Sequence, residues 1–107
     1  MPAYNASRFL DESIQSILNQ TFKDFEFIII DDCSTDDTPL IIKKYVAQDE
    51  RVIYRRNDKH IDQLIGRNNA LGYVRGNFVA MLDADDLAMP RRLELQYNYL
   101  CQHPDIA

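Results

Sequence analysis

The chain has 107 residues, 46% hydrophobic and 27% charged, which suits one domain with a modest core. Its 17 acids against 12 bases leave a formal net charge of −5, and this excludes the broad basic footprint of a nucleic-acid or membrane-surface binder. No stretch reads as a signal peptide or a membrane span, and Cys33 and Cys101 fall in no metal or disulfide pattern, so reduced thiols in the cytoplasm are the expectation.

Residues 8–20 predict a helix. Ser7 stands at the cap position, Asp11 and Glu12 lie in the first turns, and Phe9, Leu10, Ile14, Ile17 and Leu18 recur at helical spacing. Residues 25–30 predict a strand, buried at Ile28, Ile29 and Ile30, that ends at Asp31-Asp32. A polar turn over 33–38 follows, and Pro39 opens a helix to about Gln48 with Leu40, Ile41, Tyr45 and Val46 on its apolar face. A short strand is expected over 52–55 and a helix over 63–74, and Gly76-Asn77 turns the chain into a strand over 78–82. Pro90 opens a last helix with Leu93, Tyr97, Leu100 and Cys101 on one side, ended by His103-Pro104. Alternating helices and strands imply an α/β domain with a mostly parallel sheet flanked by helices. No strand is read before the first helix, so the fold looks truncated at its start.

The run over 78–82 leads directly into Asp83, Asp85 and Asp86. Acids at the end of a buried strand belong at the carboxyl edge of the sheet, where open α/β folds bind ligands. Carboxylates this close raise one another's pKa unless a cation neutralises them. A divalent Mg²⁺ or Mn²⁺, bound through oxygen and shared with a phosphate, is the natural counter-charge. The plain alternative is a solvated acidic turn with an Asp helix cap.

Four segments in order carry a resemblance to a known family: residues 2–5 (Pro-Ala-Tyr-Asn), 30–36 (Ile-Asp-Asp-Cys-Ser-Thr-Asp), Arg67-Asn68 and 82–86 (Leu-Asp-Ala-Asp-Asp). Together they resemble the nucleotide-binding part of inverting family 2 glycosyltransferases of the Rossmann-like GT-A fold, across residues 1–107 as a single partial domain. The resemblance implies that Tyr4 stacks on the nucleotide base, that Asn5 shapes the adjoining turn, and that Asp32 accepts a hydrogen bond from the base, commonly uracil. Asp31 is implied as its supporting neighbour. Arg67 is implied near the base and diphosphate. Asp85 is implied as the metal ligand of a D-x-D motif, Asp83 as a contact to the ribose or to a metal-bound water, and Asp86 as support. The donor is then a nucleotide sugar, with UDP-sugar favoured, and the acceptor a hydroxyl on a glycan or lipid-linked carrier. The setting implied is the cytoplasm or the inner face of a membrane.

The chain departs from the family at Cys33, where Gly is usual, and at Asp62, Leu64 and Ile65, where Gly and small residues are usual. If the backbone at Cys33 has positive φ, a side chain there costs about 1 kcal/mol. His60 and His103 read as surface residues. The general base that takes the acceptor's proton lies downstream in the acceptor-binding half of this family, so none is assigned; Asp105 sits too near the terminus. Two rivals remain. The chain is a non-catalytic nucleotide- and metal-binding fragment or a remnant that folds as a homodimer, its uncovered edges masked by a second copy. Alternatively it is a phospho-receiver-like domain, which the spacing from Asp83 to Pro90 disfavours.

Overall fold

A computed structural model describes residues 1–61 and 63–105, without the side chains of Gln63 and Leu64. The order is β1 (Pro2–Ala3), α1 (Ser7–Leu18), β2 (Phe27–Asp31), α2 (Thr38–Gln48), β3 (Val52–Arg56), α3 (Gln63–Ala70), a 3-10 turn (Leu71–Tyr73) and α4 (Arg92–Gln102). The strands form one parallel sheet in the order β1-β2-β3. Asp31 and Asp32 therefore stand at its carboxyl edge, between the ends of β1 and β3. The α/β architecture expected from the alternation is present.

Three expectations need correction. A strand does precede α1, although it is two residues long and pairs Pro2 with Ile30 and Ala3 with Asp31. The apolar run over 78–82 forms no strand and is half-exposed at Phe78, Val79 and Met81. The reason lies in β1. The amine and carbonyl of Met1, just before it, bond to Ile28 and Ile30 and the Ala3 carbonyl to Asp32 N–H, which turns Pro2 outward, and a proline has no N–H to offer a further strand. The space between this edge and residues 78–82 is instead a cavity of about 770 Å³, lined among others by Met1, Ile28, Phe78, Met81 and Leu100. Its lining extends to Arg67, Leu82 and Arg92, beside the acidic turn.

The third correction concerns the helix faces. Leu10, Ser13, Ile14 and Ile17 are buried on α1, while Phe9 is half-exposed. On α2 the buried face is Thr38, Ile42 and Tyr45, and Leu40 and Val46 are exposed. These two faces pack on Phe27, Ile29 and Val52 of the sheet to make the core. Ser7 is the first residue of α1 and Ala6 its cap, with no side-chain bond of its own. The free N–H groups are satisfied from a distant loop: Ala6 N–H donates to Thr38 Oγ1 at 2.9 Å and Ser7 N–H to Asp36 Oδ2 at 3.2 Å.

Candidate functional site

The candidate residues meet in two groups, one at the carboxyl edge of the sheet and one at the acidic turn over 83–86. The first is built on the ends of β1 and β2. Beyond β1, Asn5 takes φ 45°, a left-handed conformation that Asn tolerates better than most residues. Its Oδ1 accepts from Thr35 N–H at 2.8 Å, and its own N–H donates to Ser34 Oγ at 3.0 Å. Asn5 thereby ties the turn after β1 to the turn after β2 and sets the position of Tyr4, which is half-exposed. Cys33 also has positive φ, 63°, so the strain expected from a side chain at this position is present.

Asp31 and Asp32 point in opposite directions, as neighbours along a strand must. Asp31 is fully buried and wholly engaged. Its Oδ1 accepts from Ser34 N–H at 3.0 Å, and its Oδ2 from Arg56 Nη1 at 2.6 Å and Tyr54 Oη at 3.1 Å. This ion pair, buried on the Asp31 side and open on the Arg56 side, holds the turn. Asp32 faces the edge. Its Oδ1 accepts from Asn57 Nδ2 at 3.0 Å and Ile61 N–H at 3.1 Å, and its Oδ2 lies 2.7 Å from His60 Nδ1. The His60 ring in turn lies 4.4 Å from the Tyr4 ring, tilted by 41°.

The second group is the acidic turn. Asp86 N–H donates to Asp83 O at 3.1 Å, which closes a turn through Ala84 and Asp85. The carboxylates of Asp83, Asp85 and Asp86 come within 4.8 Å of one another, all exposed. A three-oxygen donor set of this hardness fits Mg²⁺ or Mn²⁺ with water completing the shell. Arg67 of α3 donates from Nη2 to Asp83 Oδ1 at 2.7 Å, while its buried Nε has no partner among the described residues. A small cleft of about 200 Å³ lies between Arg67, Asp83, Asp86 and Arg92. It sets two guanidinium groups beside two carboxylates, a pattern suited to a phosphate–metal pair. Arg92 Nη2 is anchored on Met81 O at 2.6 Å.

What holds the acidic turn is a feature the apolar periodicity concealed. Ser13 and Ser16 on one face of α1, with Gln20 just past its end, form a polar strip that is buried at Ser13 and Gln20 and half-buried at Ser16. Ser13 Oγ donates to Ala84 O at 2.8 Å and to Asp86 O at 2.6 Å, and Ser16 Oγ accepts from Ala88 N–H at 3.0 Å. Gln20 donates to Met89 O at 2.6 Å and accepts from Leu93 N–H at 3.0 Å. The helical spacing of these three polar residues was the available signal. Asp36 was missed as well. It bridges the starts of α1 and α2, and although burial pushes its carboxyl up, hydrogen bonds from Thr38 and Ser7 outweigh this and hold it at about 2. The Met1 amine is lowered to about 6, by burial first, with the Asp83 charge opposing and the Arg67 charge adding to it.

The chain is 44% identical over 108 residues to an uncharacterized glycosyltransferase of Methanocaldococcus jannaschii, covering 99% of this chain and 37% of that protein. It is 34% identical to an Escherichia coli UDP-Glc:alpha-D-GlcNAc-diphosphoundecaprenol beta-1,3-glucosyltransferase, covering 96% of this chain and 40% of the relative. The chain thus spans about two fifths of the length of these relatives. Among solved structures it is similar to S. aureus TarS in complex with UDP-GlcNAc, with a TM-score of 0.86 and 29% identity over 96% of this chain and 30% of that one. It is also similar to the Pyrobaculum calidifontis mannosyltransferase in complex with GDP-Man and Mn²⁺, with a TM-score of 0.78 and 26% identity over 88% of this chain and 28% of that one. The fold is accordingly that of the GT-A glycosyltransferases, and the receiver-like alternative falls away. The glycosyl transferase family 2 model matches residues 1–107, and the chain belongs to that family.

Proposed function

We propose that this chain is the donor-binding part of an inverting glycosyltransferase that takes a UDP-sugar with Mg²⁺ or Mn²⁺ and glycosylates a hydroxyl of a glycan or lipid-linked acceptor. The observation that carries the reading is the presence of two polar groups of complementary chemistry. Tyr4 and Asp32 offer a flat ring and a fixed carboxylate to a base, and Arg67 with Asp83, Asp85 and Asp86 offers mixed charge to a diphosphate. The relatives support it in kind: TarS was solved with UDP-GlcNAc and the Pyrobaculum enzyme with GDP-Man and Mn²⁺. The metal, when bound, offsets the negative charge that gathers on the departing nucleoside diphosphate. Arg67 adds a fixed cation beside it, and Asp85, free of the Arg67 contact that engages Asp83, is the open ligand. Taking the proton of the acceptor hydroxyl requires a general base, a role given to none of these residues. The setting proposed is the cytoplasm or the inner face of a membrane. A homodimer would use the half-exposed Phe78, Val79 and Met81 beside the outer edge of β1.

Calorimetric titration with UDP tests this. The expected result is binding that requires Mg²⁺ or Mn²⁺ and is abolished by Asp85→Ala, with no sugar transfer by the chain alone. Metal-independent binding, or no binding at saturating nucleotide, overturns the metal–diphosphate assignment.

A further inference from the structure

We propose that His60 occupies the nucleobase subsite as an internal stand-in for the base, and that a nucleotide enters by exchanging with its imidazole. The inference rests on the assignment of Tyr4 and Asp32 as base contacts. A pyrimidine held there would present a flat face to Tyr4 and a ring N–H to a carboxylate oxygen of Asp32. His60 makes a ring contact and a polar contact at the same two points: its ring lies 4.4 Å from that of Tyr4, tilted by 41°, and Nδ1 lies 2.7 Å from Asp32 Oδ2. The other oxygen, Oδ1, already accepts from Asn57 Nδ2 and from Ile61 N–H. Oδ2 is therefore the oxygen on which a base N–H would fall, and the imidazole holds it.

Geometry also decides which partner moves. The Asp32 side chain is 13% exposed and fixed by two further donors, and its own N–H bonds to Ala3 O at 2.8 Å. The His60 side chain is 60% exposed and follows β3 in a stretch without regular structure. Exchange thus needs a rotation of His60 into solvent and leaves the carboxylate in place. The cost of that rotation appears as a reduced apparent affinity, since only the fraction of molecules with the ring turned out can take a base. It also acts as a filter: a ligand that cannot replace both the ring contact and the N–H leaves His60 where it is.

NMR titration of the chain with UDP and Mg²⁺ tests the proposal on the unaltered protein. The His60 ring protons should begin in the ring-current field of Tyr4 and move toward the positions of a solvent-exposed histidine as UDP saturates. His60→Ala should bind UDP roughly three- to tenfold tighter, as the cost of exposing Asp32 is removed. Asp32→Ala should weaken binding whether or not His60 is present. Unmoved His60 ring signals at saturation, or a His60→Ala chain that binds equally or more weakly, overturn the stand-in role while Asp32→Ala still weakens binding. An Asp32→Ala chain with unchanged UDP affinity instead overturns the base-site assignment beneath it.

Discussion

Ser13→Ala tests whether the acidic turn hangs on α1. The Ser13 side chain is fully buried, and its Oγ lies 2.8 Å from Ala84 O and 2.6 Å from Asp86 O. A hydroxyl has one proton, so the two carbonyls share it in a three-centre bond. Removing it strands Ala84 O, in a residue only 7% exposed, whereas Asp86 lies at the surface, where water can replace the lost donor. One net hydrogen bond and one partly desolvated acceptor amount to about 2–3 kcal/mol. With an unfolding entropy near 2.1 cal/mol/K per residue, a chain of 107 residues loses about 10 °C in Tm. Thermal unfolding by circular dichroism measures this, with Glu12→Ala on the exposed side of the helix as a control expected within about 0.5 kcal/mol of the parent. UDP–Mg²⁺ affinity should fall with the same variant, because Asp83, Asp85 and Asp86 lose their anchor. A Tm within about 1 °C of the parent together with unchanged affinity would refute the reasoning.

Two further outcomes follow from backbone and charge. Cys33→Gly relieves a left-handed L-residue, worth about 1–2 kcal/mol, against an added unfolded-state entropy of about 0.5–1 kcal/mol for Gly. The urea midpoint should therefore rise by the equivalent of about 0.5–1 kcal/mol at unchanged m, and a lower midpoint counts against strain at φ 63°. The Met1 amine titrates at 8.0 when unfolded and at about 6 when folded. Between these values the unfolded chain binds more protons, so stability is lowest below pH 6, rises through the window and levels off above pH 8. Two pKa units correspond to at most about 3 kcal/mol. Urea unfolding across pH 5–9, compared with the Nα-acetylated chain, checks this; identical profiles for the two forms would show that the amine is not buried in the fold.

Much of the fold was legible in local pattern. Helices α1, α2 and α4 announced themselves through apolar spacing, and β2 and β3 through β-branched and aromatic runs that end in charge. The acidic turn and the Asp31-Asp32 pair were legible as chemistry, because carboxylates at that spacing have few inexpensive uses. The run over 78–82 misled for a physical reason. Its composition is that of a buried strand, but a strand needs a partner edge, and the edge beside it presents Pro2 without an N–H. Composition records the preference of the run and is silent about its neighbour.

The chain's own pattern was enough to determine an α/β domain and the acidic turn over Asp83–Asp86, since spacing and residue type are local properties, and the resemblance of four short segments to family 2 glycosyltransferases marked Tyr4, Asp32 and Arg67. Only the tertiary structure decided which of these groups meet. It turned Asp31 inward onto Arg56 and Tyr54, placed Arg67 on Asp83, hung the acidic turn from Ser13, and set His60 between Tyr4 and Asp32. Each of these contacts joins residues far apart in the chain, so its energy depends on packing and burial that no short window of sequence contains.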